Sequence, residues 1–386
     1  MHEITWRGLT ATLVLLTCLL NLAACNTLGP RAVRHAGVHY TAAVAQSWDE
    51  QLLANLVRLR YGQAPLFMEV TSLSTQYNLA AGVHFEPLWT RPEQTIKEGT
   101  STATGLVTSR KQVVSDDEYS HSLGVDYYER PTVTYIPLRG QAFITSLLSP
   151  IGIDDVLLLT SSGWSIERIF VLCAQRINEL SNAPSASGPT PRDEPRFQGY
   201  REAVRLLREL QVRGELWIDV RNKDGGNYPY LELSESAKEG PLLERMRESF
   251  GLPSEERAWP VHSVWASRRP GELAIQTRSL LGVLYFLCNS VEIPEAHLQR
   301  GWAVQTKGAN ESAFDWRDVT GDWLRVRTSK SAPADAVVKI RYEGHWFYIA
   351  KDDVSSKYTF TFLAALFALQ AGEVPRVSPA LTIPVG

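Results

Sequence analysis

The sequence predicts an α+β protein: an antiparallel sheet or hairpin with flanking helices, followed by a mixed helix–strand part. Three observations predict it. Two stretches, Tyr77 to Trp89 and Tyr119 to Tyr135, alternate apolar and polar residues with the period of a strand that is wet on one face. Several others space apolar residues three and four apart between a capping residue and a glycine, the pattern of an amphipathic helix. The second half interleaves such helices with short β-branched and aromatic runs and two tight-turn signals, Asp224-Gly225-Gly226-Asn227 and Glu343-Gly344.

The chain opens with Arg7 and an apolar run from Leu9 to Leu20. That run is shorter than the roughly 20 residues a bilayer-spanning helix needs, and it has the dimensions of a secretory h-region. Leu22-Ala23-Ala24-Cys25 follows and resembles the bacterial lipobox at every position. The resemblance implies a signal peptide at 1–24, cleavage before Cys25, a diacylglycerol thioether on its sulfur and a fatty acid, such as palmitate, on its new amino group. The other reading is an ordinary secretory signal ending in small residues, with Cys25 incidental. Each buried acyl CH2 contributes about 0.8 kcal/mol, so several chains hold where one holds marginally. Asn26 follows the cysteine where an Asp would signal inner-membrane retention, which by family analogy implies the outer membrane, facing the periplasm.

Residues 25–46 read as a lipidated tether, with Gly29-Pro30 and scattered Arg and His. Ser47 and Glu50 form a capping box that starts the first helix. Leu52, Leu53, Leu56, Val57 and Leu59 make its apolar stripe, and Arg58 and Arg60 are expected to point away from it. Gly62 ends the helix and Pro65 prevents its return. An N-terminal part at 47–182 then holds the long hairpin, whose strands are joined by a polar connection from Thr90 to Glu118. Gln141 to Leu148 is a short helix stopped by Pro150, Ile151 to Leu159 a further apolar stretch, and Ser165 to Leu180 a longer amphipathic helix. Residues 183–195, rich in Pro, Ser, Gly and Asp, read as a linker or exposed loop and a domain boundary.

A C-terminal part at 196–374 follows. Tyr200, Val204, Leu207 and Leu210 stripe a helix ended by Gly214. Strands at Glu215 to Val220 and Tyr230 to Leu233 flank the first turn, and Leu242 to Phe250 is a helix before Gly251. Leu273 to Gln276 is a strand, and Thr277 caps the apolar helix Leu280 to Cys288. Val337 to Tyr342 and His345 to Ile349 form a second hairpin, and Asp352 to Gly372 the last helix, with Phe360, Leu363, Leu366, Phe367 and Leu369 apolar. Residues 375–386 are a Pro-rich loose tail. Three blocks, Pro131-Thr132-Val133-Thr134-Tyr135, Gln276 to Leu284 and His345 to Ile349, resemble recurring segments of Gram-negative envelope lipoproteins of unassigned activity. That resemblance implies an envelope location and no mechanism.

Composition sets outer limits. The chain has 386 residues, 44% hydrophobic and 21% charged, with a net charge of −3. A chain this near neutral lacks the basic field that nucleic-acid binders use, so no nucleic acid is expected as partner. Cys173 and Cys288 lie in apolar helical stretches and read as two core thiols in preference to a disulfide.

Motifs for known chemistry are absent: no G-x-S-x-G elbow, H-E-x-x-H, P-loop or G-x-G-x-x-G occurs. Glu292, Glu295 and His297 cluster around Pro294, where a proline is expected to break the helix that would align them, so no metal site and no cofactor is expected. Asp154-Asp155 and Asp352-Asp353 read as helix starts, where acidic groups meet the positive end of the dipole. Ser161-Ser162-Gly163-Trp164 reads as a turn between helices. The leading functional reading is a lipid-anchored, non-enzymatic structural or interaction subunit of a bacterial cell-envelope assembly, with protein partners or self-association. The alternative is an oligomeric outer-membrane pore to which each protomer donates the hairpin, with His84, Glu86 and Asp126 facing the lumen, since membrane strands need about 9–11 residues. A periplasmic hydrolase of unrecognised type, using Ser162 or His345, is the third.

Overall fold

The computed structural model describes residues 37–84, 122–138, 140–223, 226–263, 270–309 and 311–371. Cys25, the signal peptide, the connection at 90–118, Glu86 and the tail at 375–386 lie outside the described residues. The fold is α+β. Two compact units make it up, one running Val70–Ile136 and the other taking in the chain on both sides of it.

The smaller unit is a two-stranded antiparallel sheet of β1 (Met68–His84) and β2 (Ser122–Pro137). β1 takes in Tyr77 to His84 of the first alternating stretch and β2 takes in Ser122 to Tyr135 of the second, the rest of both lying outside the described residues; β1 begins nine residues before Tyr77, in a run with two Thr, two Ser and a Val.

The larger unit starts with helix α1, already formed at residue 37 and continuing to 60. Residues 37–46 therefore belong to a helix and not to a tether. Ala42, Ala43, Ala45 and Gln46 are good helix formers with no Gly or Pro among them. Ser47 consequently sits inside α1, and Glu50 accepts from Gln46 Nε2 at 2.9 Å instead of closing a capping box. Leu52, Leu53, Leu56, Val57 and Leu59 are buried as expected. Asn55, also buried, exchanges two 2.8 Å hydrogen bonds with the backbone of Leu66, which fixes the chain as it leaves the helix.

Helices α2 (Gln141–Leu148), α3 (Ile153–Ser161) and α4 (Ile166–Cys173) follow. Helix α4 stops seven residues before Leu180, and the chain turns into strands β3 (Ala174–Ile177) and β4 (Leu180–Ser181). The reason lies far along the sequence. The guanidinium of Arg278 donates through Nη1 to the carbonyls of Val171 (2.9 Å), Leu172 (3.2 Å) and Ala174 (2.6 Å). Its Nη2 reaches the carbonyl of Asn182 and its Nε the hydroxyl of Ser187. The last carbonyls of α4 thus have a cationic cap, which suits the negative end of a helix dipole.

The same contacts settle residues 183–195. Ala183 and Ala186 are fully buried, and Pro184–Ser187 forms a 3-10 turn packed on α7. This segment is tied into the larger unit and is not a spacer between domains. Small residues at 183 and 186 let the backbone approach closely, which composition alone reads as looseness.

The rest builds a mixed six-stranded sheet in the order β4-β3-β8-β7-β6-β5. Helix α5 (Gln198–Val212) buries Tyr200, Val204, Leu207 and Leu210. Strands β5 (Leu216–Lys223) and β6 (Gly226–Leu233) pair antiparallel, and α6 (Pro241–Phe250) ends on Gly251 at φ 63°. Strand β7 (Ala258–Ser263) runs parallel to β8 (Leu273–Thr277), and its Trp259 is fully buried. Helix α7 (Leu280–Cys288) is capped by Ser279, whose hydroxyl accepts from Gly282 N–H, rather than by Thr277. Short helices α8 (Glu295–Gln299) and α9 (Arg317–Thr320) precede a three-stranded sheet of β9 (Arg327–Ser329), β10 (Ala336–Tyr342) and β11 (His345–Ala350). The turn between β10 and β11 has positive φ at Glu343 (45°) and Gly344 (79°), as a two-residue hairpin requires. Helix α10 (Val354–Ala371) buries Phe360, Leu363, Leu366 and Phe367, while Leu369 is exposed. Asp353 caps α10 by accepting from Ser356 N–H and Oγ, and Asp154 and Asp155 stand in the first turn of α3, as their pairing in sequence implies.

Replacing Arg278 should test how far this depends on one side chain. Arg278→Met is expected to lower the unfolding free energy by about 3–5 kcal/mol, because several buried carbonyls lose a donor at about 1–3 kcal/mol each, partly offset by removal of the buried charge. Urea unfolding followed by tryptophan emission measures it. A loss under about 1 kcal/mol would mean that the carbonyls find other donors.

Candidate functional site

Among the described residues singled out from sequence, His297 and His345 come together and the others stand apart. His84 ends β1 and Asp126 lies within β2, while Cys25 and Glu86 fall outside the described residues. Ser161 and Ser162 donate back to the carbonyls of Leu157 and Leu158 in their own helix. Pro294 caps the start of α8 and does not break it, since a proline's missing N–H costs nothing there. Glu292 nevertheless holds Arg325, Glu295 accepts from Gln299, and His297 bonds Tyr61. Among the described residues no group of three His, Cys, Asp or Glu side chains could hold a metal ion.

What the fold does assemble is a cavity of about 230 Å³, which Arg60, at the end of α1, lines together with residues of 289–325. Arg60, expected to point away from the apolar stripe of α1, is only 8% exposed. Helical spacing explains this, because Arg60 stands four residues after Leu56 and three after Val57 and shares their face. Its Nη1 donates to Thr190 Oγ1 at 3.1 Å and to the carbonyl of Val304 at 2.9 Å. Its Nε has no partner among the described residues, and no carboxylate among them pairs with it. Burial holds the Arg60 pKa below the ordinary arginine value.

The opposite charges of the cavity are already matched. Arg325 donates through Nε and Nη2 to Glu292 Oε1, both at 3.1 Å. Arg317 forks onto Asp315, and that contact lowers the Asp315 pKa. The remaining wall mixes apolar side chains, Phe314, Trp316 and Leu324 among them, with the polar Asn289, Ser290, Gln305, Thr306 and Thr320. Trp316 Nε1 donates to Thr306 Oγ1 at 2.9 Å, and the Phe314 ring meets Trp316 edge-on at 5.3 Å. Asn289 donates through Nδ2 to the carbonyls of Tyr285 and Phe286, so its amide orientation is set, and Oδ1 is left without a partner. Buried polar atoms without partners are few in folded proteins, and each calls for an explanation. Here two belong to residues that line one cavity.

Beside the cavity, Tyr61 OH and His297 Nδ1 are 2.7 Å apart, and the His297 ring packs edge-on against His345 at 4.7 Å. Desolvation first, and His345 and Arg300 next, lower the His297 pKa. This is a buried aromatic cluster with a neutral histidine, adjacent to the cavity in sequence through Arg60 and Leu298.

No family model, curated protein or solved structure matches the chain. Function must be argued from the residues themselves.

Cys173 and Cys288 are both buried and free, as their apolar settings imply. Burial pushes each thiol up to about 12, so neither is poised as a nucleophile. An unfolded thiol ionises near 9. Each thiol therefore contributes stability that is fully present below about pH 9 and lost as pH rises toward 12. Iodoacetamide at mildly alkaline pH is expected to leave both unmodified in the folded protein and to alkylate both in denaturant. Rapid labelling of either in the folded state, read by peptide mass, would contradict this.

Proposed function

We propose that this chain is a lipid-anchored, non-enzymatic interaction subunit of a bacterial cell-envelope assembly, held at the outer membrane through Cys25 and engaging partners through its β1–β2 hairpin. One observation carries the reading. The hairpin strands are 17 and 16 residues long, against an average of about 5–6, and among the described residues they form a sheet of two strands. A two-stranded hairpin is marginal in water by itself, because it buries little apolar surface and its outer edges can accept a further strand. On β2, Val133 and Tyr135 are 38% and 43% exposed, although they belong to the apolar side of its alternation. Such an element gains most of its stability when another surface covers it.

The same length favours a second reading, in which several protomers close their hairpins into a shared barrel. Either strand exceeds the about 9–11 residues that cross a bilayer as a tilted β-strand. His84 and Asp126 stand on the polar side of the alternation, the side that would face a lumen. Among the described residues no helix is long and apolar enough to cross a membrane.

Two measurements separate these readings. Cys25→Ser is expected to release the protein from washed membranes, and a variant that still sediments fully would remove the lipid anchor. Native mass in detergent is expected to show the chain with partners or copies of itself, and deletion of 70–136 is expected to abolish that association. A closed ring that conducts ions in planar bilayers supports the barrel. A monomer that is unchanged by the deletion would overturn both.

A further inference from the structure

We propose that the cavity beside Arg60 binds a small monocarboxylate with an apolar body, its carboxylate lying against the Arg60 guanidinium. The argument starts from charge. Three guanidinium groups (Arg60, Arg317, Arg325) and two carboxylates (Glu292, Asp315) line the cavity, so one positive charge is left over. Arg325 and Arg317 have their carboxylates in direct contact, which assigns the surplus to Arg60.

A buried guanidinium ordinarily pairs with an acid or saturates its donors. Two other buried arginines of this protein do one or the other, and a third, Arg168, directs both Nη1 and Nη2 at oxygens of Ser355 and Thr359. Arg247 forks onto Glu239, and Arg278 places its donors on four carbonyls and a hydroxyl. Arg60 does neither, since its Nε is unpartnered and its two bonds at Nη1 go to neutral oxygens. An arriving carboxylate supplies the missing negative charge, with the planar two-oxygen geometry that a guanidinium matches.

Size and lining narrow the class. About 230 Å³ lies below the roughly 300–1,000 Å³ typical of drug-sized sites, so the ligand is small. A single surplus charge suits a monoanion, whereas a phosphate dianion would leave one negative charge uncompensated in a partly enclosed space. Phe314, Trp316 and Leu324 offer apolar contact away from the arginine.

The test uses the whole mature protein and does not depend on its anchor or its assembly state. Butanoate, its neutral isostere butanamide and inorganic phosphate are titrated at matched ionic strength, with melting temperature and tryptophan emission as readouts. Butanoate is expected to raise the melting temperature and shift the emission saturably, as a ligand of the folded state must. Butanamide is expected to do neither. Arg60→Gln is expected to weaken butanoate at least about tenfold, the smallest loss that removing a charged hydrogen bond produces. If the glutamine variant does not fold, Arg60→Lys replaces it. That variant keeps the charge without the fork, and it is expected to bind butanoate more weakly than the native protein and still more tightly than butanamide. No saturable response to butanoate, an equal response to butanamide, a stronger one to phosphate, or unchanged affinity in the Arg60 variant would each overturn the proposal.

Discussion

The larger unit is arranged around a single buried cation. Arg278 is 1% exposed and has no carboxylate partner among the described residues, which for a charged group is a costly position. Three features offset that cost. Carbonyls at the end of α4 present the negative pole of its dipole, the carbonyl of Asn182 and hydroxyl of Ser187 complete the hydrogen bonding, and the Phe286 ring faces the guanidinium at 4.2 Å. Desolvation still lowers the pKa to about 10, which leaves the group protonated at neutral pH. The backbone of the same residue extends the connection. Its N–H donates to Cys173 and its carbonyl accepts from Ile151, so the end of α4, the start of α3 and the cap of α7 meet at one position.

Buried arginine recurs in this fold, and the partners differ in a way that bears on function. Arg168 bonds Ser355 and Thr359 and lies over Trp323, joining α4 to α10. Arg247 pairs with Glu239 and lies near Trp259. These are structural rivets, with donors directed at nearby oxygens and a ring beneath the cation. Arg60 shares with Arg168 and Arg278 the lack of a carboxylate partner among the described residues, but its Nε is left without a partner and it borders open space. The comparison among like residues in one chain is what separates a cation that holds the fold from one that is available to a ligand.

The hairpin poses the opposite problem. Among the described residues its strands pair with each other across one seam, and strands of this length at a sheet edge are ordinarily charged, bulged or covered in a stable monomer. The alternation that runs along both strands has a meaning only against a second surface, whether protein or lipid. The proposed role in assembly rests on that exposure.

Much of the fold was legible in the sequence. Period-two alternation located β1 and β2, helical spacing placed α2, α5, α6, α7 and α10, and the Glu343-Gly344 signal located the second hairpin, because each of these rests on residues within a few positions of one another. Even Arg60 could have been read from its spacing to Leu56 and Val57, had its charge not outweighed its position. Other features were decided only by tertiary contacts. Helix α4 is cut short by Arg278, whose partners lie 91 to 107 residues away, and the segment at 183–195 is held by that side chain at Ser187, by Arg60 at Thr190 and by Thr306 at Pro191. Arg60 finds Val304 across 244 residues, and the cavity exists only because the end of α1 meets residues of 289–325. Local periodicity reports which face of an element is buried. It carries no information on what that face meets, and whether a buried charge is capped, paired or left for a ligand depends on that meeting alone.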